Sequence, residues 1–309
     1  MLKLRFIQLV ILIILNGFPI FAEEDRSFEI VTSFTILENL VSELGGSRVS
    51  VTNLVPRNSD AHIYSPKPSD SIAISNADLV IFNGLGFEGW IFRLIKDSGK
   101  ENNYLIASDG INLLNQSNEI DPHAWQSFKN IRIYIDNISG ELINLMPEHE
   151  KYFVLRRDDY LKKLSELEIN LNDQLRHIPI HKRIVITGHD AFGYLGREFN
   201  IQFLAPLGLS LDAEASAEDV ADIINQIKEK KVTALFLENI NNPKLLKAIS
   251  LESGIPIGGV LYSDSLSKID GPAGTYLEMM GHNVKSLIEA FNSQKKILNN
   301  DKKKLGEIS

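Results

Sequence analysis

From Glu148 to Arg176 the chain carries neither glycine nor proline, and leucine recurs at Leu161, Leu164, Leu167, Leu171 and Leu175, in steps of three and four. That spacing lays one apolar stripe along a helix, and Lys, Arg, Asp and Glu crowd the opposite face. A helix of ~30 residues spans roughly 45 Å at 1.5 Å per residue. Ordinary globular domains rarely contain one so long, so the rest of the chain has to be arranged about this rod.

On both sides of it the pattern is different. Short apolar runs bounded by Gly, Asn and Asp alternate with amphipathic segments. Before the rod, Phe28–Thr32, Val49–Val55, Asp78–Phe82 and Tyr104–Ala107 read as strands, and Ile36–Leu44 and Trp90–Ile95 as helices. After it, Arg183–Thr187, Ile201–Leu204, Ala234–Leu237 and Ile257–Leu261 read as strands. Ala217–Lys230, Pro243–Glu252 and Thr275–Asn292 read as helices, and the polar, Lys-rich tail from Ser293 is expected to fray. Apolar runs of this length suit buried parallel strands, and the alternation implies α/β sheets covered by helices on both faces. The expected organisation is an α/β lobe over 23–147, a linking helix over 148–178 and a second α/β lobe over 179–309.

Residues 1–22 read as a cleavable export signal. Lys3 and Arg5 open it, Phe6 to Leu15 is almost continuously apolar, and the small Ala22 precedes Glu23, Glu24 and Asp25. Asn16, Gly17 and Pro19 interrupt the apolar stretch, which falls short of the about 20 residues a spanning helix needs. The chain has no Cys, so it offers no lipid-bearing Cys and no thiolate ligand. A freely soluble, monomeric periplasmic protein is the expectation, and any metal site in it must use His, Asp or Glu. Without Lys3 and Arg5 the formal charge moves from −8 to −10. An acidic surface repels phosphate and argues against nucleic acid as a partner, while leaving cations unhindered.

Three of the seven histidines share a setting. His62, in Asn58-Ser59-Asp60-Ala61-His62, His123, in Asp121-Pro122-His123-Ala124-Trp125, and His189, in Thr187-Gly188-His189-Asp190, each lie in a turn-rich stretch beside a strand end with an acidic neighbour. Ligands of open parallel sheets bind beyond the carboxyl ends of strands. A neutral imidazole is the commonest metal-binding side chain, and a neighbouring carboxylate can fix its tautomer. A closed tetrahedral site needs a fourth ligand; Asp264 and Glu238 both follow apolar strands and both qualify. His149, His177 and His181 sit in or beside the polar helix, and His282 lies inside the last helix beside Met279 and Met280, settings that suit solvent or packing.

The motifs that carry these residues resemble one family. Asp60-Ala61-His62 with Tyr64-Ser65-Pro66-Lys67-Pro68-Ser69-Asp70, Asn83-Gly84-Leu85-Gly86, Asp121-Pro122-His123-Ala124-Trp125, His189-Asp190-Ala191-Phe192-Gly193-Tyr194, Glu238-Asn239, Leu261-Tyr262-Ser263-Asp264 and Gly271-Pro272-Ala273-Gly274-Thr275-Tyr276 are together similar to the TroA-like metal-binding components of ABC importers, the zinc and manganese solute-binding proteins. The similarity runs from about Phe28 to Phe291. It implies two α/β lobes joined by one backbone helix, with one Zn²⁺ or Mn²⁺ in the cleft between them, His62, His123, His189 and Asp264 as ligands, and an integral-membrane ABC permease as partner. Glu238 then lies near the cleft without being a main ligand. The sequence departs from the family at Ala61, where a Pro is usual, and in having no long His-rich loop, which leaves manganese and iron open beside zinc. Two ligands from each lobe imply a site complete only when the lobes face each other, with a rigid helix permitting small rocking.

The same sequence offers competing readings. Gly84-Leu85-Gly86-Phe87-Glu88-Gly89 fits a dinucleotide-binding fingerprint, with Asp109 twenty residues beyond it. Three histidines can hold catalytic zinc with water in the fourth position, assisted by Glu238, as in an exported metallohydrolase. The same scaffold can serve as an adhesin.

Overall fold

The computed structural model describes residues 27–116, 119–210 and 215–306; the export segment 1–22 lies outside them. Nineteen labelled elements follow in order: β1 (Phe28–Thr32), α1 (Thr35–Gly45), β2 (Val49–Asn53), α2 (Pro68–Asn76), β3 (Leu79–Phe82), α3 (Ile91–Asp97), β4 (Tyr104–Ile106), the short hairpin β5 (Asn115–Gln116) and β6 (Glu119–Ile120), α4 (Phe128–Leu145), α5 (Glu150–Leu175), β7 (Ile184–Ile186), α6 (Gly193–Phe199), β8 (Gln202–Leu204), α7 (Ala217–Glu229), β9 (Ala234–Glu238), α8 (Lys244–Ser253), β10 (Ile257–Leu261) and α9 (Tyr276–Gly306).

Two four-stranded sheets form, in the orders β2-β1-β3-β4 and β10-β9-β7-β8, parallel throughout. The two orders are the same pattern. In each lobe the second strand lies on one side of the first, and the third and fourth lie on the other. The order therefore reverses between β1 and β3 in one lobe and between β7 and β9 in the other, the kind of switch point at which such sheets take ligands. All four residues of β3 are buried, as a strand covered on both faces requires.

The long helix α5 runs for 26 residues, about 39 Å. It starts two residues later than the leucine pattern predicts because Pro147–His149 winds as a 3₁₀ turn. Phe153, Tyr160, Leu164, Leu171 and Leu175 form its buried stripe, which packs on α1, α4 and α9. Its outer face carries ion pairs such as Lys163–Asp159 and Lys162–Glu166. One continuous apolar core runs from the first lobe through this helix into the second, from Ile30 and Leu40 through Leu164 to Phe236 and Met279. Smaller clusters cover the outer faces of the two sheets. The last helix continues to Gly306 rather than stopping at Asn292; no Gly or Pro interrupts the tail before that residue. Among the described residues no helix is long and apolar enough to cross a membrane.

Candidate metal centre

The loops that leave the carboxyl ends of the strands converge between the lobes. His62 comes from the segment joining β2 to α2, and His123 from the turn that follows β6 and leads into α4. His189 follows β7, and Asp264 follows β10. One ligand atom from each of the four lies within 4.8 Å of all the others. His62 Nε2 is 3.3 Å from His123 Nε2. Asp264 Oδ2 is 3.3 Å from His189 Nε2 and 3.9 Å from His62 Nε2, and Oδ1 is 3.6 Å from His123 Nε2. An ion about 2.0–2.1 Å from four tetrahedral corners needs corner separations of about 3.3–3.4 Å. The four side chains thus outline a coordination shell.

Each of the three histidines is braced from behind. The Asp121 Oδ1 atom accepts both the His123 backbone N–H, at 2.9 Å, and the ring Nδ1–H, at 2.8 Å. That bond fixes the ring's orientation and turns Nε2 to the centre. Behind His189, Glu238 Oε1 accepts the Gly188 and His189 backbone N–H groups, and Oε2 lies 2.6 Å from Nδ1. Glu238 accordingly faces the ring nitrogen that points away from the centre and stands outside the converging set. In the His62 turn, Asp60 Oδ1 accepts the His62 N–H at 2.7 Å, and the Trp90 indole donates to the Ala61 carbonyl at 2.8 Å. These contacts hold the turn at the position where Ala61 replaces a proline.

The Asp264 loop is fastened to the opposite lobe. Trp125 Nε1 and Gln126 Nε2 donate to the Ser263 carbonyl at 2.9 and 2.8 Å, and Leu266 N–H donates to Thr35 Oγ1 at 2.8 Å. The Arg57 guanidinium, four residues into the β2–α2 segment, donates to the Ser267 and Gly274 carbonyls at 2.8 and 2.9 Å. Tyr194 donates to the Asp121 carbonyl at 3.0 Å. With the shared core, these bonds make the lobes one tightly joined body.

Asp264 is fully buried and neither carboxylate oxygen has a hydrogen-bond partner. Such a charge is costly unless a cation faces it. Burial pushes its carboxyl up, but the facing His123 and His189 rings outweigh burial and hold it well below the usual carboxylate range. The reciprocal effect is on the imidazoles. Burial works against a charged His123, yet Asp264 and Asp121 raise it to about 9. Burial likewise opposes a charged His189, and Glu238 and Asp264 raise it well above its ordinary value. A divalent cation would replace those two protons as the partner of the buried carboxylate, so the donor set fits a metal ion. Of the four side chains only His62 reaches solvent, at 7% exposure. Beside it, a cleft of about 540 Å³ is lined by Ile63, Gly188, Leu237, Glu238 and Asn241.

The remaining sequence candidates fall elsewhere. His177 and His181 are exposed, His149 is half-buried at the start of α5, and His282 faces the Val260 carbonyl at 3.0 Å. In the Gly84–Gly89 turn, the Gly84 and Asn83 N–H groups that a dinucleotide phosphate would use are taken by the Glu88 carboxylate of the same turn. The metallohydrolase reading needs an open fourth position, and Asp264 stands in it. Trp90 and Arg57 carry no sequence signal; acidic neighbours pointed to the support that Asp60 and Asp121 give His62 and His123, whereas the carboxylate at His189 Nδ1 is that of the distant Glu238.

The family model for the periplasmic zinc-uptake complex component A matches residues 30–290. The manganese-binding lipoprotein MntA of Halalkalibacterium halodurans is 32% identical over 273 residues, covering 88% of this chain and 91% of its own. The iron-binding protein YfeA of Yersinia pestis is 30% identical over 271 residues, covering 86% and 87%. The solved structure of the periplasmic zinc-binding protein TroA from Treponema pallidum superposes with a TM-score of 0.82 at 26% identity, covering 86% of this chain and 99% of that one.

Proposed function

The chain belongs to the family of the periplasmic zinc-uptake complex component A, and from that membership we propose that it captures one divalent transition-metal ion outside the cytoplasm and delivers it to an ABC-type importer permease in the membrane. The observation that carries this reading is the convergence of three histidines and one aspartate within 4.8 Å. In it, His62, His123, His189 and Asp264 are the ligands, and the protein is a carrier rather than an enzyme.

The cargo is Zn²⁺ or Mn²⁺. Three neutral imidazoles and a carboxylate suit zinc in softness and in four-coordinate geometry, whereas manganese prefers more oxygen. Asp264 keeps both oxygens free of hydrogen bonds, so it can supply a second oxygen donor to the larger ion. The relatives' names span manganese, iron and zinc, which agrees with one scaffold that serves different metals.

The ion reaches the centre and leaves it past His62, the ligand nearest solvent. The interlobe hydrogen bonds and the common core favour a small rocking of one lobe on the other over a wide hinge. We further read residues 1–22 as a cleavable export signal and the mature protein as a periplasmic monomer with lobes over 23–147 and 179–309 about the 148–178 helix. Uptake of labelled Zn²⁺ and Mn²⁺ by cells carrying this chain with its permease tests the function. Accumulation must require the chain and vanish with His189→Ala; uptake that persists with that variant contradicts the proposal.

A further inference from the structure

The Gly84–Gly89 turn is built around a buried carboxylate. It leaves β3 beside the switch point of the first lobe and passes through three successive residues of left-handed backbone, Gly84 (φ 82), Leu85 (φ 58) and Gly86 (φ 83). Leu85 adopts a conformation that side-chain-bearing residues rarely take, so something must hold it there. Glu88, at 3% exposure, lies inside this turn. Its Oε1 accepts the Ser33 hydroxyl at 2.6 Å and the Asn83 N–H at 2.8 Å, and its Oε2 accepts the Gly84 N–H at 3.1 Å. Backbone N–H groups clustered in this way form an anion-binding concavity, and here the anion belongs to the turn itself. Burial pushes the Glu88 carboxyl up to about 7, with the Ser33, Asn83 and Gly84 bonds pulling the other way.

What the turn holds in place is the metal centre of the first lobe. Phe87, fully buried, sets its ring edgewise 4.5 Å from His62 and 6.1 Å from His123, centroid to centroid. Asn83, anchored by the Tyr134 hydroxyl at 2.5 Å, donates from Nδ2 at 3.0 Å to the carbonyl of Pro122, the residue between Asp121 and His123. Both imidazoles of the lobe therefore rest on residues 83–88.

We infer that Glu88 is a positioning residue for metal binding: its carboxylate, seated on the Asn83 and Gly84 N–H groups and the Ser33 hydroxyl, fixes the turn that sets Phe87 against His62 and His123 and Asn83 against the His123 loop. The inference rests on the metal-capture reading above. The charge type matters as much as the bulk. A carboxylate is acceptor-only, matched to three donors. Glutamine has the same shape but brings an NH₂ group against a donor, so it should not substitute.

The test measures Zn²⁺ and Mn²⁺ affinity by chelator competition for the full-length mature protein, Glu88→Gln, Glu88→Ala and Asp264→Ala, with circular dichroism to check folding. Glu88→Gln is expected to weaken binding roughly tenfold or more, within the range seen when groups supporting a ligand are lost. Glu88→Ala is expected to weaken it at least as much and to recover most of the loss in formate but not in chloride, since formate can occupy the vacated N–H cluster of a turn whose Gly86 and Gly89 are exposed. If Glu88→Ala does not fold, Glu88→Gln alone decides. Unchanged affinity in Glu88→Gln, or a folded Glu88→Ala that formate does not restore, overturns the inference while wild-type binding lost in Asp264→Ala leaves the capture reading standing. Wild-type protein that takes up no metal overturns both.

Discussion

Metal binding should be coupled to the loss of about two protons, and pH is the perturbation that exposes this. In the metal-free fold His123 is raised to about 9, and His189 is raised well above its ordinary 6.5, both by the carboxylates packed against them. Near neutral pH both rings carry a proton on the way to becoming ligands, and a ligating imidazole must be neutral. Each displaced proton changes affinity by about tenfold per pH unit, so two give about 100-fold per unit, or roughly 2.7 kcal/mol. This slope should hold up to about pH 9, where His123 gives up its proton unaided, and become shallower above. The stability of the metal-free protein runs the opposite way. For a histidine whose folded value is raised, the contribution is fully present below the unfolded value of 6.5 and is lost as pH climbs through the folded value. The metal-free melting temperature should therefore lose this contribution between pH 6.5 and about 9, the range over which affinity rises. Chelator competition across pH gives the slope. Calorimetry in buffers of different ionisation enthalpy counts the protons directly. Asp264→Asn removes the anion that holds both rings charged and should reduce the count. Release of less than about one proton per ion by the wild-type protein near neutral pH would refute the reasoning.

Three further outcomes follow from the contacts. Glu238→Gln disturbs the carboxylate behind His189 and is expected to weaken metal affinity roughly 10- to 100-fold with little change in the far-ultraviolet spectrum; isothermal titration checks it. Arg57→Ala removes the guanidinium shared between the Ser267 and Gly274 carbonyls and should destabilise the fold by about 1–3 kcal/mol in urea unfolding. Leu164→Ala, in the fully buried stripe of α5, should cost about 2–5 kcal/mol by the same measurement and leave metal stoichiometry unchanged.

The long helix and the eight strands of the two sheets were legible because each depends on local periodicity, whereas the two-residue β5 and β6 are too short to show a period. Leucine spacing marks α5 to within two residues at its start, and β1 has the bounds its apolar run suggests. Helix α4 was not legible. Ile131, Ile133 and Ile135 alternate as in a strand, and Asn130, Asn137 and Gly140 dilute the stripe. Only the packed chain shows that Phe128, Ile131, Tyr134, Ile135, Ile138 and Leu142 share one buried face. The short α2 and α6 were lost for a related reason, since each is set by its neighbours more than by its own pattern. Of the site, the histidines showed themselves by turn-rich, acid-flanked settings after strands, and the choice between Asp264 and Glu238 came from family resemblance. Geometry separates those two acids: Asp264 directs unpartnered oxygens at three Nε2 atoms, while Glu238 is occupied behind His189. The struts across the cleft join residues from 73 positions apart, Tyr194 to Asp121, to 231 apart, Leu266 to Thr35, and leave no local trace. The Gly84–Gly89 fingerprint was deceptive because a nest of N–H groups reads alike in sequence whether its anion is a cofactor phosphate or Glu88.

Native mass spectrometry with elemental analysis, on protein purified from its own compartment, puts the metal-capture function to the most direct test. The prediction is one divalent transition-metal ion per chain, retained through gel filtration, and none retained by the His189→Ala, Asp264→Ala double variant. Wild-type protein without metal that also fails to take up Zn²⁺ or Mn²⁺, or a double variant that holds its ion as tightly as wild type, would contradict it.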